Sequence, residues 1–315
     1  MTNQERVGLT EKPCIALVAP SGYALDLVAV QRGIDLLRAR GCQVKLYCDP
    51  STRYQRFGAS DAQRAAQLMA AATDPEVQLV LSLRGGYGMS RLLPLLDFPV
   101  LAQSGKLFVG HSDFTAFQLA LLAHGAGSFA GPMLCSDFAR AEPDLVTLDD
   151  FWSCVTEPNH IVVVDATDTP SLDVTGTLWG GNLTILTHLI GSEYFPQIND
   201  GILFMEDINE HPYRVERMLL QLLRCGVLGR QQALLLGDFS NYRLSEYDNG
   251  YDFAAMLDYL RSVCSVPVLS GLPFGHIAHK DTLVVGSRAH LVGAVSGWHL
   301  TMSNYRSLHS AKLVL

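Results

Sequence analysis

The chain has 315 residues, 48% of them hydrophobic, and a formal net charge of −8 from 23 basic and 31 acidic side chains. That is apolar material for one large domain or two ordinary ones. The acidic balance argues against nucleic acid as the main partner, because phosphate binding needs a basic surface, and no apolar run is long enough to span a bilayer. The segment Met1 to Lys12 is polar and charged and lacks the apolar core of a signal peptide. Most of the seven scattered cysteines, none in a Cys-x-x-Cys pair, read as buried thiols of a reducing compartment. The expectation is a cytoplasmic protein that does not engage a membrane.

Residues 14–19 form an apolar, β-prone run that stops at Pro20-Ser21-Gly22. Apolar positions at helical spacing follow over 27–40, then a strand at 43–47, an Ala-rich helix at 61–72 and a nearly continuous apolar run at 77–83. A run apolar at every position is what a strand buried on both faces requires. Next come the loop Arg84-Gly85-Gly86-Tyr87-Gly88, a short helix, a strand at 106–109 and a helical segment over 114–124. Strands alternating with helices of this length predict an α/β protein with a Rossmann-like parallel sheet and helices on both faces. Ligands of such sheets sit at the carboxyl ends of the strands. Both the glycine loop and Gly110-His111-Ser112-Asp113-Phe114-Thr115 fall there.

Residues 136–172 change character, with acidic residues, prolines and one helix near 145–155. We divide the chain into an N-terminal domain (1–140), a passage (141–172) and a C-terminal domain (173–315). Strand-like runs lie at 161–164, 174–178, 201–205, 233–237, 266–269 and 282–285, with helices at 182–190, 212–225 and 253–262.

Ser112 stands at the turn between a strand and a helix. Its hydroxyl is presented at the sheet edge toward the positive end of the helix, as suits a nucleophile; the same place suits a helix N-cap. A serine nucleophile needs a base within reach and an acid to orient that base. His111 is adjacent, but neighbours on a tight turn point apart, and His188 falls inside a helical pattern. His276, in the loop Gly271-Leu-Pro-Phe-Gly-His276 after a strand, is a candidate base, a solvated loop histidine being the other reading of that position. Among acids, Glu206 closes the strand 201–205, whereas Asp207 and Glu210 suit the start of the following helix. The N–H of Asp113 and the Gly85-Gly86 loop can supply oxyanion donors. The loop could instead cradle a phosphate, although it lacks the Gly-x-Gly-x-x-Gly spacing and the lysine of a P-loop. His276, His279 and Asp281 lie close together without a recognisable metal-ligand pattern. No metal and no cofactor are expected.

The motifs Ala19-Pro-Ser-Gly22, Arg84-Gly-Gly-Tyr-Gly88 with Ser90-Arg91-Leu92, Gly110-His-Ser-Asp-Phe-Thr115, Gly131-Pro-Met-Leu134, Gly176-Thr-Leu-Trp-Gly-Gly-Asn-Leu183, Glu206-Asp-Ile-Asn-Glu-His-Pro-Tyr-Arg-Val-Glu-Arg-Met-Leu219 and Gly271-Leu-Pro-Phe-Gly-His276 occur in that order. Together they resemble the LD-carboxypeptidase family over nearly the whole chain. The resemblance implies a serine peptidase with Ser112 as nucleophile, Glu206 as acid and His276 as base; the N–H groups of Gly86 and Asp113 are then the expected oxyanion hole. It implies a smaller C-terminal domain with a barrel-like sheet, the site in a cleft between the two parts, and a homodimer. The implied reaction releases terminal D-alanine from an L-configured diamino acid in murein tetrapeptides or their muropeptide forms. A carboxypeptidase must also hold a free carboxylate, for which the planar fork of Arg84 or Arg214 is suited; Tyr87, Trp179 and Asn182 lie in the same motifs as candidate substrate contacts. One departure is Val284 in Thr282-Leu-Val-Val-Gly286, where family members often carry proline. Other readings are a relative that cleaves toxin-type acyl-peptide conjugates in self-immunity, or a non-catalytic binder of a sugar or nucleotide.

Overall fold

The computed structural model describes residues 12–167 and 169–308; all but Lys12 of the polar N-terminal segment lies outside them. The first unit runs β1 (Cys14–Val18), α1 (Leu27–Ala39), β2 (Gln43–Leu46), α2 (Asp61–Thr73), β3 (Leu79–Ser82), α3 (Phe98–Gln103), β4 (Leu107–Gly110), α4 (Thr115–Ala123) and β5 (Ser128–Ala130). Then follow α5 (Leu145–Thr156), β6 (His160–Asp165), β7 (Leu172–Asn182), α6 (Leu183–His188), β8 (Gly201–Ile208), α7 (Pro212–Arg224), β9 (Gln231–Ser240), α8 (Phe253–Val263), β10 (Val268–Ser270), β11 (Leu283–Val285), β12 (Arg288–Ala294) and β13 (Gly297–Ser303).

Helix starts follow local chemistry. Asp26 caps α1 by accepting from the N–H groups of Val28 and Ala29, and Ser60 with Gln63 forms a capping box on α2. Asn182 caps α6, and Pro212 opens α7, where its missing N–H costs no hydrogen bond.

The first sheet has the order β11-β5-β4-β3-β1-β2. Its strands β2, β1, β3, β4 and β5 are parallel, as the alternation predicted. Ile15 and Leu17 of β1 join one apolar core with Val30, Ile34 and Leu37 of α1, while Cys14, Ala16 and Val18 join a second with Leu68 of α2. Alternate residues of one strand thus feed two cores, which is why the run shows no polar face.

The second sheet has the order β10-β9-β8-β7-β12-β13-β6. β7 to β10 pair in parallel; β12, β13 and β6 continue the sheet antiparallel. It curls toward closure: the indole N–H of Trp298 on β13 donates to Ser270 O at the end of β10, and Gly271 faces Val164 of β6. That curl is the barrel-like character.

Two features depart from the sequence reading. The strand at 283–285 does not join the second sheet; β11 pairs antiparallel with β5 and completes the first. All three of its residues are buried, and its register on β5 covers an edge that would otherwise be exposed. The strand expected at 161–164 does form, as β6, and pairs with β13 in the second sheet. The sequence reading marks no strand at β5 or at the hairpin β12–β13. Just past β11, Gly286 N–H donates to Leu178 O of β7 and Leu178 N–H donates to Ser287 O, at 2.7 and 3.0 Å. The two sheets meet there. No described helix is long and apolar enough to cross a membrane.

Candidate active site

β4 ends at Gly110, whose missing side chain leaves room for the ring of Phe114 in the turn that follows; a Cβ there would lie 2.7 Å from Phe114 Cδ1. The tight turn puts Ser112 at φ +62°, a left-handed conformation that a serine adopts only under constraint. The hydroxyl of Ser112 lies 3.0 Å from His276 Nε2. His276 Nδ1 in turn lies 2.7 Å from Glu206 Oε2. Glu206 is fully buried near the end of β8.

The loop that carries His276 crosses β9 closely. A side chain at Gly237 would run into Phe274 O, and Asp238 N–H donates to that oxygen at 2.8 Å. Gly275, at φ +141°, then turns the chain so that His276 faces β8. Asn182, directly opposite Glu206 in the β7–β8 register, donates from Nδ2 to Glu206 Oε1 at 3.1 Å and to Asp207 Oδ1 at 3.0 Å. Consecutive strand residues normally point to opposite faces. A bulge between Met205 and Asp207 in the β8–β9 pairing lets both carboxylates reach the same amide.

Burial on its own would lower the pKa of His276. The hydrogen bond and charge of Glu206 outweigh it, and the net is a raised pKa. His111 is fully buried. Burial first, then the nearby Lys280 charge, hold its pKa well below the ordinary value, and its Nδ1 lies 3.0 Å from Gly131 O. It is a neutral ring wedged edge-on against His276, with centroids 5.3 Å apart.

The glycine loop lies over Ser112. A Cβ on Gly85 would stand 2.9 Å from Ser112 Cβ and 3.0 Å from its oxygen. Gly86 has φ +110°, a conformation side chains disfavour. The Asp113 carboxylate holds this loop, accepting from Met89 N–H at 2.8 Å and from the Ser21 hydroxyl at 2.5 Å. Burial pushes its pKa up against those hydrogen bonds.

A pocket of about 520 Å³ opens onto Ser112 and His276, with walls from Leu25, Asp26, Arg84, Met133, Ser136 and Asn209 among others. Of the expected substrate contacts, Arg84 is in this wall, with its guanidinium donating to Tyr23 O at 3.1 Å. Tyr87 points instead to Phe57. Trp179 must be corrected: it is fully buried, its indole N–H donating to Gln231 Oε1, because β7 lies inside the sheet. Asn182 is also buried, engaged with Glu206 and Asp207 rather than with the pocket. Arg214 lies on α7 in a separate surface recess with Tyr213, Tyr242 and Arg243. Asp26, Ser136 and Asn209 are pocket walls that the sequence reading does not name; Asn209 falls inside the Glu206–Leu219 motif, and Gly131-Pro-Met-Leu134 lies just before Ser136. Among the described residues no cluster of three His, Cys, Asp or Glu side chains is disposed to hold a metal ion.

A constrained serine bonded through an imidazole to a buried carboxylate, on an α/β frame, is the constellation of a serine peptidase. Residues 15–131 match the LD-carboxypeptidase N-terminal domain, and residues 175–291 match the LD-carboxypeptidase C-terminal domain. The chain belongs to the LD-carboxypeptidase family and is a serine-type carboxypeptidase. It is 54% identical to a muramoyltetrapeptide carboxypeptidase from Oxalobacter formigenes of known crystal structure, with a TM-score of 0.90 over 93% of this chain and 100% of that one. The murein tetrapeptide carboxypeptidase of Pseudomonas aeruginosa is 29% identical over 90% of this chain and 94% of its own length. The microcin C7 self-immunity protein MccF of Escherichia coli is 26% identical, with coverage of 81% and 83%.

Proposed function

We propose that the protein is a murein tetrapeptide LD-carboxypeptidase acting through a serine acyl-enzyme. Ser112 Oγ attacks the carbonyl carbon of an L-configured diamino acid joined to terminal D-alanine, while His276 Nε2 takes the hydroxyl proton. Glu206 holds the imidazole by its Nδ1 and stabilises its charged form. The N–H groups of Gly86 and Asp113 receive the oxyanion, each such donor being worth about 10²–10³ in rate in comparable sites. The C–N bond breaks, His276 returns the proton to the departing amine, and D-alanine leaves. Water, deprotonated by His276, then hydrolyses the ester and frees the shortened peptide.

The observation that carries this reading is the chain of short contacts from Ser112 through His276 to the buried Glu206 at the mouth of a pocket. The muramoyltetrapeptide carboxypeptidase at 54% identity supports the substrate. The MccF relative keeps a toxin-type conjugate as the second reading. Placement in the cytoplasm agrees with seven free thiols, and a homodimer is the assembly expected from the resemblance; sedimentation checks it.

The test is release of D-alanine from purified murein tetrapeptide. Ser112→Ala is expected to abolish it with unchanged circular dichroism. Substantial turnover by that variant would overturn the assignment. For the terminal carboxylate we assign Arg84, the guanidinium in the pocket wall. Arg84→Ala is expected to raise KM at least tenfold for the free-carboxylate substrate and to leave a C-terminally amidated analogue unaffected, as loss of about 1.5–3 kcal/mol from a charged hydrogen bond requires.

A further inference from the structure

Lys280 and Asp137 form an enclosed ion pair that the triad does not use. Lys280 Nζ lies 2.6 Å from Asp137 Oδ1, and each side chain is 2% exposed. Taking two charges out of water is costly, and apolar replacement of such pairs is often neutral or stabilising. Stability is therefore a poor account of its presence.

Its two ends reach two walls of the site. Asp137 Oδ2 accepts from the Met133 N–H at 2.8 Å and from the Ser136 hydroxyl at 2.7 Å. Met133 and Ser136 line the Ser112 pocket. Lys280 stands on the same loop as His276, and the rest of that loop is tied in the same direction. Thr147 Oγ1 accepts from Lys280 N–H and donates to Ala278 O, both at 2.9 Å, and Asp150 Oδ2 accepts from Thr282 N–H at 2.6 Å. These anchors all come from the stretch between β5 and β6. β8, by contrast, supplies the acid, Glu206, from the second sheet.

We propose that the Lys280–Asp137 pair is a positioning device: it fastens the loop carrying His276 to the pocket wall beside Ser112 and so holds the imidazole on the hydroxyl. The proposal rests on the serine-peptidase mechanism above. The titratable groups facing His276 are Glu206 and Asp207 from β8, His111 after β4, and Lys280 on its own loop. The carboxylates raise its pKa and Lys280 lowers it. The ammonium thus also keeps the base neutral at lower pH than the carboxylates alone would allow.

The experiment compares the full-length wild-type protein with Lys280→Met and with the double variant Asp137→Asn/Lys280→Met, which leaves no unpaired buried charge. It measures the rate at which a fluorophosphonate probe labels Ser112 as a function of pH, and kcat and KM for D-alanine release. Both variants are expected to lose about 10- to 100-fold in labelling rate and kcat, the scale of a displaced catalytic group. KM is expected to stay within about twofold, because neither Lys280 nor Asp137 lines the pocket and the amide oxygen left by Asp137→Asn still accepts from Met133 N–H. The acid limb of labelling moves to higher pH in both. A folded double variant with wild-type labelling and an unmoved acid limb overturns the proposal, as does a raised KM with kcat retained. An unlabelled wild-type protein overturns the serine mechanism itself, and the proposal with it.

Discussion

Glu206 has no access to water, so each of its oxygens needs a partner inside the fold. One oxygen receives His276 Nδ1–H and the other receives Asn182 Nδ2–H. Glu206→Gln keeps the shape and removes the charge. Its expected effect on kcat is a loss of roughly 10⁴-fold, the scale seen when a triad acid becomes an amide. Glu206 is also what lifts the His276 pKa against burial. In the variant the acid limb of residual activity is therefore expected to move to lower pH. A histidine whose folded pKa is raised contributes stability that is fully present below its unfolded value of about 6.5 and is lost as pH rises through the folded value. Glu206→Gln is accordingly expected to lower Tm more at pH 5 than at pH 9, measured by thermal melts across that range. The residue scale also shows where reading side chains in order fails. His111 lies next to Ser112 in sequence yet serves as a neutral packing ring. Asn182 and Trp179 share a motif, and both look inward, because burial belongs to the strand that carries them rather than to the residue type.

At the scale of the element, the site is made of strand ends and the turns that follow them. Two turns carry the strain: Ser112 at φ +62° after β4, and the glycine loop after β3. Gly85→Ala tests the second. Its new Cβ, 2.9 Å from Ser112 Cβ, would force the loop or Ser112 aside. The expected outcome is a fall of at least about 10² in kcat/KM, with Tm within a few degrees of wild type, since none of residues 84–88 belongs to either apolar core. Steady-state kinetics and thermal melts on one preparation check it. The strand–glycine–serine–helix order was legible in the sequence because each part has its own local signal: β-prone residues, a glycine stop, a hydroxyl at the turn. That Gly85 lies over Ser112 was not legible, since β3 and β4 are brought side by side only by the sheet.

For the whole molecule, the two sheets do not have separate interiors. Alternate residues of β1 and β3 in the first sheet, and of β8 and β9 in the second, enter the same two apolar cores. β11 adds a second tie by leaving the C-terminal half to pair with β5. Elements that share cores are expected to unfold together. Chemical denaturation followed by far-ultraviolet circular dichroism and by tryptophan fluorescence should give coincident midpoints; two resolved transitions would show that the halves are energetically separate. The chain's order by itself determined the parallel α/β frame, the strand-end location of the site and a short set of candidates for nucleophile, acid and base. Those rest on periodicity and turn chemistry, which act over a few residues. Only the tertiary structure decided that β11 crosses to the first sheet, that Trp179 and Asn182 face inward, and that the His276 loop is anchored through Lys280, Thr147 and Asp150. Each of these depends on contacts between residues far apart in the chain, and the choice of partner there is made by packing and by the need to pair every buried charge and amide, neither of which leaves a local pattern.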